Sequence, residues 1–259
     1  MIDPRATAIH ELPDIGEAAI CMGVFDGVHR GHLALVGATV SAARERGVRA
    51  VALVFDPPPD EVIRPGHRVP RLAPLHENLR RLSDAGIEAP VPLRFDDALR
   101  ALTAEQFLLR LSPAIRVRAL VMTPESAFGR DRGGTPEAMN AFGTSAGFEL
   151  RRVERLVTPD QQPISSGRIR IALAEGAIHE AVELLGHPAY LEGTPGPGGG
   201  GSLELAYYAA LPAAGRYRAR IRGGSAEDVK LTIAPDGRVD LVGEPIKGEH
   251  VALDVLSPA

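Results

Sequence analysis

Residues 23–32 read Gly23-Val24-Phe25-Asp26-Gly27-Val28-His29-Arg30-Gly31-His32 and follow directly on an apolar run, Ala18-Ala19-Ile20-Cys21-Met22. Text with helical spacing begins at about Leu33. The order is a buried strand, a glycine-bearing turn and a helix N-terminus. Backbone N–H groups at such a turn point outward and the helix dipole favours negative charge, so a phosphate is the natural guest. Gly23, Gly27 and Gly31 let a ligand approach the backbone closely. His29 and His32 stand at the mouth of the turn. Two imidazoles there can donate to phosphate oxygens whose charge grows in a transition state.

Around this turn, strand-like and helix-like text alternates. Residues 49–55 read as a second buried strand, with short strands at 91–93 and 119–122 and a further one at 148–156. Helices are expected over 33–46, 75–85, from Thr103 onward, and over 135–142. Thr103-Ala104-Glu105-Gln106 has the spacing of a capping box. This alternation predicts an α/β fold, a Rossmann-like parallel sheet covered by helices, with ligands at the carboxyl ends of its strands. Two more helices are expected at 168–174 and 178–185. Gly/Pro-rich text over 191–202 reads as a linker, and short β-like runs over 203–259 read as a small all-β, barrel-like domain. The expected division is 1–190, 191–202 and 203–259.

At 259 residues, with 44% hydrophobic and 24% charged residues, the chain has the composition of a soluble globular protein. A net charge of −4 argues against a general nucleic-acid binder. The single cysteine, Cys21, excludes an internal disulfide and sits in strand-like text, where it reads as a small core residue. The first residues lack the pattern of a signal peptide, and no apolar run approaches the roughly 20 residues of a membrane span. The expectation is a soluble, cytoplasmic protein with no membrane partner.

The run from Gly23 to His32 resembles the signature of the H-x-G-H nucleotidyltransferases, and within them the bacterial FAD synthetases. Further segments match that family in order. Val54-Phe55-Asp56-Pro57-Pro58-Pro59 follows the second strand, with Pro58 where relatives usually carry histidine. Phe128-Gly129-Arg130 with Arg132 and Gly134 keeps the later half of a flavin-side segment, whereas Thr123, Pro124, Ser126 and Ala127 depart from its earlier half. Pro163-Ile164-Ser165-Ser166-Gly167-Arg168-Ile169-Arg170 resembles the I-S-S-T-x-x-R signature, with Gly167 for threonine. Independently of the family, a serine there can cap a helix and leave N–H groups for an anion, and an arginine can neutralise phosphate charge. Leu211–Tyr217 faintly resembles the family's riboflavin kinase barrel, but the kinase's G-F-P-T-A-N stretch is absent.

The resemblance implies adenylyl transfer from ATP to FMN, with FAD and pyrophosphate as products and Mg²⁺ accompanying ATP. It implies catalytic roles for His29, His32, Ser165 and Arg170. Gly23, Phe25, Asp26, Gly31, Ser166, Arg168, Phe128 and Arg130 are the expected nucleotide and flavin contacts, and no protein metal ligands are expected. Asp26 and Asp56 are candidates for organising the site by hydrogen bonds. No riboflavin kinase activity is expected of the degenerate second domain. Two alternatives remain open: a nucleotidyltransferase with a changed nucleotide or acceptor, and a nucleotide-binding regulatory protein without turnover.

Overall fold

A computed structural model describes residues 5–196, 201–224, 228–242 and 250–259. The chain forms two units, one from residues 1–68 and 75–163, the other from 69–74 and 164–259.

The first unit is a parallel sheet of β1 (Gly16–Gly23), β2 (Arg49–Asp56), β3 (Ala89–Arg94), β4 (Ile115–Met122) and β5 (Glu149–Arg152), ordered β3-β2-β1-β4-β5. Its helices are α1 (Arg30–Arg46), α2 (Pro59–Ile63), α3 (Leu75–Asp84), α4 (Asp97–Arg100), α5 (Ala104–Leu111) and α6 (Pro136–Ala146). Ala18 to Cys21 lie at the centre with no exposed surface, as an unbroken apolar run demands of a strand covered on both faces. Ile20 packs with Leu53, Leu93 and Leu120 against Phe107, Leu111 and Met139. Ala19 and Cys21 face the other way, against Val36 and Ala43 of α1 and Leu82 of α3. Burial pushes the Cys21 thiol up to about 12, consistent with a packing residue rather than a nucleophile.

Several elements differ in extent from their sequence signals. β3 runs through Pro90 and Pro92, which lack donors and are tolerated because the strand lies at the sheet edge. The edge is partly covered: Thr7 N–H donates to the Pro92 carbonyl at 3.0 Å and Arg94 N–H to the Thr7 carbonyl at 2.9 Å. β4 begins four residues before the expected 119. Arg116 and Arg118 mask it as polar text, but they reach Asp14 and Glu17 near the start of β1. β5 is shorter than the expected 148–156, and α6 continues past 142 to the left-handed Gly147. The capping box at α5 forms as expected: Gln106 N–H donates to Thr103 Oγ1 at 3.2 Å, and Thr103 N–H donates to Gln106 Oε1 at 2.9 Å.

The second unit opens with α7 (Ser166–Ala174) and α8 (Ile178–Leu185). It then forms a closed antiparallel barrel of β6 (Ala189–Pro195), β7 (Ser202–Leu205), β8 (Gly215–Ile221), β9 (Val229–Ile233), β10 (Val239–Val242) and β11 (Val251–Pro258). Much of the stretch expected as linker is strand. Ala189 and Leu191 of β6 pair with Val255 and Leu253 of β11, a period-two pattern that the following Gly and Pro residues hide. Residues 197–200 of that stretch lie outside the described residues. The chain divides at 163/164, earlier than the expected 190, because Ile169, Leu173, Ile178 and Leu184 of the two helices bury with the second unit. Residues 69–74 join it too: Arg71 N–H donates to the Tyr208 carbonyl and Ala210 N–H to the Arg71 carbonyl, each at 2.8 Å.

Replacing Thr103 by Ala removes one bond of the capping box and should lower unfolding free energy by about 1 kcal/mol, read from urea midpoints at unchanged m-value.

Candidate functional site

Order reverses in the first sheet between β1 and β4: β2 and β3 lie to one side of β1, β4 and β5 to the other. The crevice at such a reversal, beyond the carboxyl ends of the strands, is where open α/β sheets bind ligands. The turn after β1 opens there. Phe25, Gly27 and Val28 all hold left-handed backbone, with φ of 52°, 76° and 45°. Glycine adopts this freely at Gly27, whereas for a β-branched valine it is an outlier. The turn is held from α3. Asn78 Oδ1 accepts from Gly27 N–H at 2.9 Å, and Arg81 Nη1 donates to the Gly27 carbonyl at 3.2 Å. Glu77 in turn accepts from Arg81 Nε at 2.6 Å, and all three α3 side chains are buried. The helix expected over 75–85 carries Leu75, Leu79 and Leu82 at helical spacing, and that spacing does not foretell this brace. The one available signal was Glu77 and Arg81 at i,i+4 beside an asparagine on the apolar stripe.

The two histidines come together. α1 starts at Arg30, three residues earlier than expected, and His29 is its N-cap. His29 Nδ1 accepts from His32 N–H at 3.3 Å, so the neutral ring carries its proton on Nε2. The rings stack with centroids 3.7 Å apart and 18° between planes. His32 is half-buried, with Nδ1 enclosed and without a hydrogen-bond partner among the described residues. Burial first, and the His29 ring second, hold its pKa well below the ordinary 6.5, so it stays neutral. Phe25 is fully buried and its ring lies 5.2 Å from that of His32; it supports the histidine from the core rather than offering a face to a ligand. Asp26 is also buried, Gly23 closes β1, and Gly31 falls in the first turn of α1.

The serine–arginine segment belongs to the second unit. Ser165 caps α7, its Oγ accepting from Arg168 N–H at 3.3 Å, and Ser166 opens the helix. Arg168 donates through Nε and Nη2 to Glu180 at 3.1 and 2.9 Å. Arg170 Nε donates to the Pro70 carbonyl at 2.7 Å. Nothing in the sequence signals either partner.

The first unit also holds a cleft of about 730 Å³. Phe55 from the end of β2, Phe95 after β3, Phe107 of α5 and Phe128 after β4 form its aromatic walls. They are arranged as two edge-to-face pairs, Phe55–Phe95 and Phe107–Phe128, at 5.6 and 5.7 Å. Arg100, Arg130 and Arg132 stand on its lining with Asp97 and Asp131. Phe128 and Arg130 are thus placed together, on a separate loop from the histidine turn. Thr123 Oγ1 and Ser126 Oγ bond at 2.8 Å beside it, and Ala127 lines the cleft. Among the described residues no helix is long and apolar enough to cross a membrane.

A family model described as FAD synthetase matches residues 12–168. The bifunctional riboflavin kinase/FMN adenylyltransferase of Escherichia coli K12 is 32% identical over 188 residues, which cover 71% of this chain and 60% of that one. The Bacillus subtilis protein of the same name is 28% identical over 179 residues, covering 68% and 56%. The match therefore spans less than two thirds of either relative. A solved structure named macrolide-efflux protein, from Streptococcus pneumoniae, shares the fold with a TM-score of 0.85 at 24% identity, over 97% of this chain and 89% of that one.

Because His32 titrates in the folded state well below its unfolded value, the unfolded chain takes up a proton that the folded ring refuses. Stability from this residue is present above about pH 6.5 and is lost as pH falls toward the folded pKa. Urea midpoints measured between about pH 7.5 and pH 5 should fall less steeply in His32→Asn than in the parent.

Proposed function

Since the chain belongs to the FAD synthetase family, we propose that it transfers the adenylyl group of ATP to FMN or a related phosphate monoester, forming FAD and pyrophosphate. The observation that carries this reading is the stacked His29–His32 pair at the start of α1, at the same carboxyl edge of the sheet that the aromatic cleft borders. The turn takes the triphosphate and the cleft takes the acceptor's ring.

An acceptor phosphate oxygen attacks the α-phosphorus in line. The bond from that phosphorus to the oxygen bridging it to the β-phosphate breaks, and pyrophosphate leaves with the electron pair. Positioning and electrostatics do the catalysis, and no covalent enzyme intermediate is needed. His29 offers Nε2–H to a phosphate oxygen, because the cap bond occupies Nδ1. His32 stays neutral beside it, and the first turn of α1 adds its dipole. The serine–arginine signature supports assigning Ser165, Ser166, Arg168 and Arg170 to the leaving pyrophosphate. Mg²⁺ carried on the triphosphate would neutralise part of its charge; no group of three or more His, Cys, Asp or Glu among the described residues could hold a metal by itself. The barrel, which lacks the G-F-P-T-A-N text, is assigned no riboflavin kinase activity.

A changed acceptor is the second reading. Thr123, Pro124, Ser126 and Ala127 depart from the family text, which carries an aromatic in that stretch, and this takes one stacking surface from the flavin side. A regulatory protein without turnover would bind ATP and release no pyrophosphate with any acceptor.

Purified protein incubated with Mg²⁺-ATP and FMN should give FAD and pyrophosphate in equal amounts. ATP binding without FAD would rule FMN out as the acceptor. His29→Ala should lower kcat by about 10²–10³, the scale of losing one donor to developing charge, with the thermal transition retained. Riboflavin with ATP should give no FMN.

A further inference from the structure

We propose that Arg132 is the residue with which the cleft recognises a negatively charged group on the acceptor, a phosphate monoester in the reading above, on which this inference rests. The loop that carries it is closed on itself: Gly134 N–H donates to the Phe128 carbonyl at 2.9 Å and Phe128 N–H to the Gly134 carbonyl at 3.4 Å. It is also docked on the start of α5. Arg130 N–H donates to the Leu102 carbonyl at 2.7 Å, and a Cβ on Gly129, at φ +74°, would stand 2.5 Å from the Ala104 backbone nitrogen. No other residue fits at 129 without moving the loop. Within this frame Asp131 and Arg132 both hold left-handed backbone, at φ 56° and 55°. Non-glycine residues keep that conformation only where their surroundings impose it, and such positions cluster at ligand sites.

The charges on the lining do not cancel. Arg100 pairs with Asp97 at 3.4 Å and Arg130 with Asp131 at 3.6 Å. Arg132 has no carboxylate partner among the described residues, and its one hydrogen bond, to the Glu125 carbonyl, is 3.5 Å long. The cleft therefore carries one uncompensated cation beside four phenylalanines. That combination suits a flat aromatic molecule bearing an anion, and a guanidinium can meet a phosphate with two parallel hydrogen bonds. Arg132 becomes a specificity residue, separating phosphorylated from unphosphorylated acceptors of the same ring.

Flavin fluorescence titrations of the full chain with FMN and with riboflavin test this directly. FMN should bind about tenfold more tightly than riboflavin, the scale of one charge-assisted contact. Arg132→Gln should remove most of that preference while riboflavin affinity, which reports the cleft's integrity, stays the same. Arg132→Lys should keep part of it, and Arg110→Gln, an exposed arginine outside the cleft lining, should keep all of it. Equal binding of the two flavins by the parent, or an undiminished preference in Arg132→Gln, overturns the assignment; FAD formation in the same preparation would leave the adenylyltransferase reading standing. Binding of neither flavin, together with no FAD, overturns both.

Discussion

Gly27 is gripped through both of its backbone polar groups by α3, and the histidine site depends on that grip. Phe25 and Val28, on either side, hold left-handed backbone that costs about 1–3 kcal/mol each. The charge-assisted bond from Arg81 and the bond to Asn78 offset this on the same scale, about 1–3 kcal/mol apiece, because all the groups are buried. Released from α3, the turn would relax toward ordinary backbone. His29 would then no longer arrive at the N-cap of α1, and His32 would lose the stacked ring above it.

The same geometry settles the proton on the histidines. A cap bond to Nδ1 puts the His29 proton on Nε2, and enclosure keeps His32 uncharged. His32 therefore keeps its charge state near neutral pH, and His29 turns Nε2 away from the cap bond. Positive charge at this edge of the sheet comes from the N-terminal end of α1 and from the cleft arginines Arg100, Arg130 and Arg132. Arginine is the better choice where the charge must persist and a planar fork of donors must meet two oxygens of one anion.

What was legible in the sequence was what local chemistry controls. The apolar run 18–22, the longer helices α1, α3 and α5 to α8, and the Thr103–Gln106 box follow from periodicity and from side chains bonding their own backbone three residues away, whereas the short α2 and α4 are too brief to show a period. His29, His32 and Ser165 were visible because their text is contiguous. The extent of β4 was not, since Arg116 and Arg118 look like loop until Asp14 and Glu17, about a hundred residues earlier, are brought beside them. Strand β6 was hidden by its glycine and proline neighbours, and its identity rests on pairing with β11 some sixty residues on.

Sequence by itself determined the fold class, the glycine-bearing turn after β1 and the residue types around it, because each depends on spacing within about one turn or strand. Only the tertiary structure decided how those residues work. It made His29 a cap and His32 its stacked neighbour, brought Glu77, Asn78 and Arg81 under Gly27, gave residues 69–74 to the second unit, and left Arg132 without a carboxylate among the described residues on an aromatic cleft. These are meetings of segments distant in the chain. Packing selects them through burial and hydrogen-bond satisfaction, and neither is written in the order of residues.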